Sequence, residues 1–393
     1  MSETPFIQPL SGGVMPNFSP LLFTTTGEAC FLDELDLKSN ELAEIDGARQ
    51  DIREALKADL PRVLSEKGLE GEICEPRFYI QGSRAYKTLN SPCTTPPQQS
   101  DIDDGVYLPL SVMREESSPK LAISLFFDAV IDVLGPMCAE RGWCTESKDT
   151  CVRVTISPYA HIDLPLYVIP DTLFKLIKAS MESRGHATFD SAINSERDSW
   201  KTLPSDKILL ADLKQGWRKS DPMAMKNWFK RECQEKGDQL IRVVRYLKAF
   251  RDKQWEDKGP SSILLMAAAC PLFEYFDKRD DRALLNVVKG ISDALRNGVQ
   301  SPIDPEASLT AHMPKEAIAE AVELFQEFAK YLQGAIDAAD AQTAYNWVHS
   351  MLGDRFPYAP HRMKSNPEGM PASMAAIAPL AGPPEPVKRT KAG

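Results

Sequence analysis

Among its eight cysteines, Cys30, Cys74, Cys93, Cys138, Cys144, Cys151, Cys233 and Cys270, the sequence has no C-x-x-C pair and no Cys/His cluster at zinc spacing. Zinc modules are thereby excluded, and the thiols read as free groups in a reducing cytoplasm. Only five histidines are present. There is no P-loop, no Ser-His-Asp order and no reactive-cysteine context, so nothing points to a phosphate-binding P-loop or a side-chain nucleophile. Positive charge is not in excess: 46 Lys and Arg against 56 Asp and Glu leave a net charge of −10. A broad nucleic-acid-coating surface is excluded, because neutralising phosphates needs surplus Lys and Arg, although a local basic pocket is allowed. No apolar run approaches the ~18 residues of a membrane span. The opening MSETPFIQPLSGG lacks the basic and apolar regions of a signal peptide. No internal repeat is present. What remains is a chain of 393 residues, 43% hydrophobic and 26% charged, long enough for one large or two medium domains with a sizeable core.

The informative stretch is RFYIQGSRAYKTLNSPCTTPPQQSDIDDGVYLPL, Arg77 to Leu110. Phe78 to Ile80 reads as a short strand, followed by a turn at Gly82-Ser83, a short amphipathic piece to Leu89 and a Pro-, Thr- and Gln-rich loop from Asn90 to Ser100. DIDDGVYLPL is a second strand, with carboxylates where a buried strand has none. Alternation places Asp101, Asp103, Gly105 and Tyr107 on one face and Ile102, Asp104, Val106 and Leu108 on the other. Two carboxylates on one face repel each other, which is poor for stability and good for a divalent cation.

Around this stretch the pattern is helical from Ala29 to Glu66, with a kink or end expected at Pro61. Leu121 to Leu134 reads as an apolar helix ending before Gly135-Pro136. CVRVTIS is an alternating strand, and HIDLPLYVIP, His161 to Pro170, is another that places His161 and Asp163 on one face and Ile162, Leu164 and Leu166 on the other. Asp171 to Asp212 reads as a surface insertion with loops. Helices dominate afterwards: one capped by Asp221 with Pro222 in its first turn, one over Leu240 to Asp252, and one introduced by Gly259-Pro260-Ser261-Ser262. Three more follow at roughly 282–297, 316–331 and 337–352. The organisation expected is an extended arm over 1–26, a catalytic core with N-terminal helices over 27–215, a helical lobe over 216–363 and a disordered tail over 364–393.

Three places carry chemistry. Gly82-Ser83, between strand and helix, exposes backbone N–H groups that suit a triphosphate, against the plainer reading of Ser83 as a helix cap. Asp101 and Asp103 suit a metal, against the plainer reading of a solvated strand edge. Asp163 gains weight because its strand is otherwise apolar and can lie beside the Asp101–Asp103 strand. His161 reads as a residue that orients or packs beside Asp163 rather than a ligand. Three carboxylates on adjacent strands can hold two divalent ions, one activating a hydroxyl and one steadying a departing pyrophosphate: this is nucleotidyl transfer.

The words QGSRAYKTLNSP, DIDDGVYLPL, HIDLPLYVIP, RKSDP with the following WF, LKAFRDKQW and GPSSILLMAA, with a weaker echo at GVQSP, resemble the cGAS/DncV-like nucleotidyltransferases of bacterial anti-phage (CBASS) defence, specifically their bacterial cyclic GMP-AMP synthase branch. The resemblance implies an α+β fold, a polymerase-β-like mixed sheet with a helical second lobe and the active site in the cleft between them. It implies joining of ATP and GTP into 3',3'-cyclic GMP-AMP with two Mg²⁺ ions, Mn²⁺ being a substitute. Asp101, Asp103 and Asp163 match the metal triad; Gln81 and Ser83 match residues at the donor nucleotide; Tyr86 matches a base-stacking aromatic. Ser220 matches a polar residue near the acceptor base, and Lys248 and Ser262 match phosphate contacts. An acid that reads a purine edge falls at Asp304 or Glu306, with Glu306 closer by count, and this departure leaves the base choice open. The resemblance also implies a downstream cyclic-dinucleotide effector and an E1/E2-like protein that conjugates the C-terminus at Gly393; a cytoplasmic location follows from the free thiols, and the free enzyme is taken as a monomer. The alternatives are a cyclic di- or trinucleotide synthase with other bases, a linear oligonucleotide synthase, and a catalytically silent nucleotide-binding scaffold.

Overall fold

The computed structural model describes residues 17–69, 75–113, 119–182 and 208–363. The chain divides into two compact units. One holds Asp36–Glu235 together with Pro302–Pro305, and the other holds the segment ending at Leu35, Lys236–Ser301 and the chain from Glu306 onward.

Among the described residues, the first unit is built on a seven-stranded sheet. Strands β1 (Arg77–Ile80), β2 (Ser100–Pro109), β3 (Cys144–Ser147), β4 (Cys151–Ser157) and β5 (Ala160–Ile169) lie in the order β1-β2-β5-β4-β3, and β6 (Leu209–Asp212) joins β5 to β7 (Gly216–Lys219). β2 runs parallel to β5, and the other pairings are antiparallel. β4 pairs with β5 up to Pro165 and β6 pairs at Tyr167 and Val168, so β6 continues the edge that β4 leaves.

Strand alternation decides the layers. Ile102, Val106, Leu108, Ile162, Leu164 and Leu166 turn to one face and form a core with Ile52, Leu56 and Leu60 of the Ser39–Glu66 helix and with Phe126, Phe127 and Val130 of the Pro119–Arg141 helix. The opposite face carries a smaller cluster: Tyr79, Tyr107, Tyr167, Ile169, Phe174, Ile208 and Met223. Both long helices run through their prolines: Pro61, where a kink or an end was expected, and Pro136, before which the second helix was expected to end. Their apolar stripes are held against the sheet, and this packing outweighs one lost hydrogen bond. Because the second helix continues past Gly135-Pro136, Lys120–Arg141 is long and apolar enough by length and composition to cross a membrane, contrary to the expectation that no such run exists. Here Ala122, Ile123, Phe126, Phe127, Val130 and Leu134 are buried in the sheet's core.

Asp171–Glu182 is a helix where loops were expected, its Asp171 carboxylate accepting from the Ser111 N–H at 2.9 Å. Residues 183–207 lie outside the described residues. The Pro222–Lys236 helix begins as expected, the Asp221 carboxylate accepting from the N–H groups of Met223 and Ala224. It belongs with the sheet, since Met223 packs on the tyrosine cluster, and the boundary therefore falls at Lys236 instead of 216.

The second unit is helical: Gln239–Gln254, Ser262–Leu272, Asp280–Asn297, Lys315–Ile336 and Ala341–Leu352. The Gln239–Gln254 helix touches all four of the others, its Phe250 stacking on Phe328 of the Lys315–Ile336 helix with ring centroids 4.1 Å apart. The described part of the expected N-terminal arm is not an arm. Residues Ser19–Leu22 form one helical turn, Phe18, Leu21 and Leu22 are fully buried, and the Ser19 hydroxyl donates to Asp281 at 2.6 Å.

Candidate active site

Strands β2 and β5 pair in a register that places Asp101 beside His161 and Asp103 beside Asp163. Paired residues point to the same side and alternate residues share it, so four polar side chains form a square on one sheet face while Ile102 and Ile162 enter the core behind them. β4 adds Arg153 opposite Asp163. Its guanidinium forks the Asp163 carboxylate, Nε to Oδ1 at 2.7 Å and Nη2 to Oδ2 at 2.8 Å. Hydrogen bonding to Asp163 raises the Arg153 pKa further, which keeps it charged.

His161 is buried, 6% exposed. Its Nδ1 lies 3.0 Å from Gln99 Oε1, and its Nε2 lies 3.2 Å from Asp101 Oδ1 and 3.9 Å from Asp163 Oδ1. Asp101, His161 and Asp163 each offer one ligand atom, and the three atoms lie within 4.8 Å of one another. Among the described residues this is the group able to hold a metal ion, and it differs from the expected triad by including His161 in place of Asp103.

Asp103 lies against the turn after β1. Gly82 has φ +61°, and a Cβ on it would stand 1.9 Å from Asp103 Oδ2. Glycine is thus required twice, for the left-handed backbone and for the carboxylate's space. The Asp103 pKa is raised well above the ordinary carboxylate range, first by burial and then by the charges of Asp101 and Asp163, with Arg153 opposing. Excess negative charge, a metal-capable donor set and an imidazole among the carboxylates fit a divalent cation.

The expected nucleotide-contacting residues separate into groups. The Gln81 N–H donates to Asp103 O at 2.9 Å, which ties the turn to β2. Its side chain is buried and engaged: Nε2 donates to Tyr107 Oη at 2.8 Å, and Tyr167 Oη donates to its Oε1 at 3.1 Å. The two tyrosine rings stack at 4.6 Å. Gly105 leaves room for this amide, since a Cβ there would come within 2.3 Å of Gln81 Nε2. Ser83 follows in the one-turn helix Gly82–Ala85 whose cap is Gln81, so Ser83 is not the cap, and its Oγ makes a long contact of 3.5 Å with Asp101 O. Tyr86 packs edge-on against Phe229 at 6.3 Å, its pKa raised by burial and then by Asp103. Ser220 hydrogen-bonds the Tyr167 hydroxyl, whose pKa is raised by burial.

Lys248, Ser262 and Glu306 belong to the helical unit. Lys248 is buried, 4% exposed, in a helix whose inner positions are almost all covered. Ser262 Oγ accepts from Arg251 Nη1 at 3.1 Å, and the helix cap is Ser261, accepting from Leu264 N at 3.2 Å. Glu306 and Asp304 are exposed, Asp304 within the short segment assigned to the sheet unit. Gly393 lies outside the described residues. Sequence reasoning missed Arg153, although it is the one charge in the alternating apolar strand CVRVTIS. It also missed Gln99, for which a Gln in a polar loop gives no signal.

Residues 76–167 match the family described as cyclic GMP-AMP synthase DncV-like, nucleotidyltransferase domain, and residues 237–363 match the cyclic GMP-AMP synthase, C-terminal domain. A curated cyclic GMP-AMP synthase of Escherichia coli (strain TW11681) is 33% identical over 297 residues, 70% of this chain and 66% of that protein. One from Vibrio cholerae is 38% identical over 242 residues, 58% of this chain and 55% of that protein. The chain thus spans less than two thirds of the length of these curated relatives. A solved mutant of the Vibrio cholerae di-nucleotide cyclase (DncV), in complex with ATP, GTP and 5MTHFGLU2, is similar with a TM-score of 0.74 at 25% identity, over 89% of this chain and 99% of that one.

Proposed function

We propose that this chain, which belongs to the DncV-like nucleotidyltransferases of the cyclic GMP-AMP synthase family, joins ATP and GTP into 3',3'-cyclic GMP-AMP by two successive nucleotidyl transfers. The observation that carries this reading is the in-register pairing of β2 with β5, which gathers Asp101, Asp103 and Asp163 on one sheet face. No side-chain nucleophile is needed for such a transfer; positioning and charge compensation suffice. Mg²⁺ bound at these carboxylates, or Mn²⁺ in its place, supplies the positive charge that polarises phosphate oxygens and offsets the charge of the departing pyrophosphate.

The chain's own residues do the rest. Asp101 and Asp163 present oxygens from neighbouring strands, and Asp103 presents a third carboxylate beside Gly82. Arg153 fixes the Asp163 carboxylate in one orientation by its fork. The Gln81 N–H and the Gln81–Tyr107–Tyr167 hydrogen bonds hold the turn that carries Ser83 and Tyr86 against β2. Because burial and like charge raise the Asp103 pKa, proton and cation compete for that group, and cation affinity falls as pH falls. In this reading the product is a second messenger of anti-phage defence, made in the cytoplasm for a downstream effector.

The test is a product assay. Purified protein is incubated with Mg²⁺ and the four labelled nucleoside triphosphates, singly and mixed, and phosphatase-resistant products are identified by mass spectrometry. Cyclic GMP-AMP that vanishes in Asp101→Ala/Asp103→Ala is the expected result. A different cyclic product overturns the base assignment and keeps the chemistry. A linear oligonucleotide overturns cyclisation. Bound nucleotide without turnover points to a scaffold.

A further inference from the structure

We infer that His161 is a direct ligand of the divalent cation held by Asp101 and Asp163, making this a mixed nitrogen–oxygen site. The inference deepens the functional reading above and rests on it.

The side-chain Nε2 of Gln99 donates to the Ser157 carbonyl at 3.0 Å, which settles the orientation of the amide and turns Oε1 toward His161. Oε1 can only accept, so His161 Nδ1, 3.0 Å away, carries the proton. Nε2 is then left with a bare lone pair. The strand register directs that lone pair into the acidic face, 3.2 Å from Asp101 Oδ1 and 3.9 Å from Asp163 Oδ1. Nε2 is buried and makes no hydrogen bond. A lone pair facing carboxylate oxygens is repulsive, and a cation among the three atoms reverses that sign. An imidazole whose far nitrogen donates to an amide oxygen is also the usual arrangement of a metal-binding histidine, in which the outer hydrogen bond fixes tautomer and ring direction. A proton on Nε2 would relieve the same repulsion, so the experiment must separate proton from metal.

The full chain is titrated with Mn²⁺ in the absence of nucleotide, followed by electron paramagnetic resonance, and the bound ion is examined for ¹⁴N modulation of its spin echo. The wild type is expected to show the nitrogen coupling of a directly bound imidazole. His161→Gln is expected to lose that coupling and to bind Mn²⁺ about tenfold or more weakly, with its thermal transition confirming that it is folded. Gln99→Ala, which keeps the imidazole but releases its tautomer, is expected to retain the coupling with about tenfold weaker binding. Mn²⁺ bound to the wild type without nitrogen coupling overturns the inference, as does coupling that persists in His161→Gln or no Mn²⁺ binding at all. Cyclic product made by a protein without nitrogen coupling refutes the ligand and leaves the function standing. Nitrogen coupling in a protein that makes no cyclic product does the reverse.

Discussion

Asp103 and Asp104 are consecutive residues of one strand in opposite electrostatic settings. Asp104 points to the core side and is fully buried, yet Arg53 forks its carboxylate at 2.6 and 2.5 Å and Arg49 stands 3.9 Å away. Asp103 points to the other side, where the nearest charges include two more carboxylates, and its pKa is raised. The helical unit repeats the first pattern: buried Asp280 is forked by Arg242, and buried Asp281 is forked by Arg279. Buried carboxylates that serve the fold each come with a cation from the chain. The β2–β5 face holds three carboxylates around Arg153, and this imbalance marks it as a site for charge from outside.

The largest effect is expected from Asp103→Asn. Product formation is expected to fall at least about a thousandfold, since charge compensation at the triphosphate is worth several kcal/mol. The metal-free fold is expected to be as stable as the wild type or more so at neutral pH. The sign follows from the raised pKa: the folded chain holds this proton more tightly than the unfolded chain. Ionisation therefore lowers stability as pH rises from the ordinary carboxylate value through the folded one. The melting-temperature difference between the metal-free variant and wild type should shrink as pH falls toward about 4. A variant less stable than wild type at neutral pH would mean Asp103 serves the fold.

Asp104→Ala should do the opposite. Removing one partner of a buried ion pair strands Arg53 and is expected to cost about 3–5 kcal/mol in urea unfolding. Gly82→Ala tests the contact between the two regions. It places an L side chain at positive φ and displaces the Asp103 carboxylate, so product formation is expected to drop about a hundredfold, with a stability cost of about 1–2 kcal/mol. The smallest effect separates neighbouring serines in the helical unit. Ser261→Ala removes the cap and is expected to cost about 1 kcal/mol, whereas Ser262→Ala leaves the cap intact and melts close to wild type. A nucleotide role for Ser262 then shows as a raised KM without loss of stability.

Much of the site was legible because strand periodicity is a local property. Alternation in DIDDGVYLPL and HIDLPLYVIP sorts Asp101, Asp103, His161 and Asp163 from the apolar side chains, and the clusters on the two sheet faces agree. Helix ends were less legible. Pro61 and Pro136 lie inside helices because the packing of a long apolar stripe outweighs a local break. The tyrosine stack around Gln81 draws on three strands or turns far apart in the chain, and no local pattern announces it.

By itself the sequence determined which residues share a strand face, where the carboxylates concentrate and which family the chain belongs to, since these follow from residue type and spacing. Only the tertiary structure decided what each carboxylate meets. Arg53 reaches Asp104 across 51 residues of chain, and Gln99 meets the His161 imidazole across 62. Electrostatic energy depends on distance in space and on exclusion of water, and neither is a function of separation along the chain.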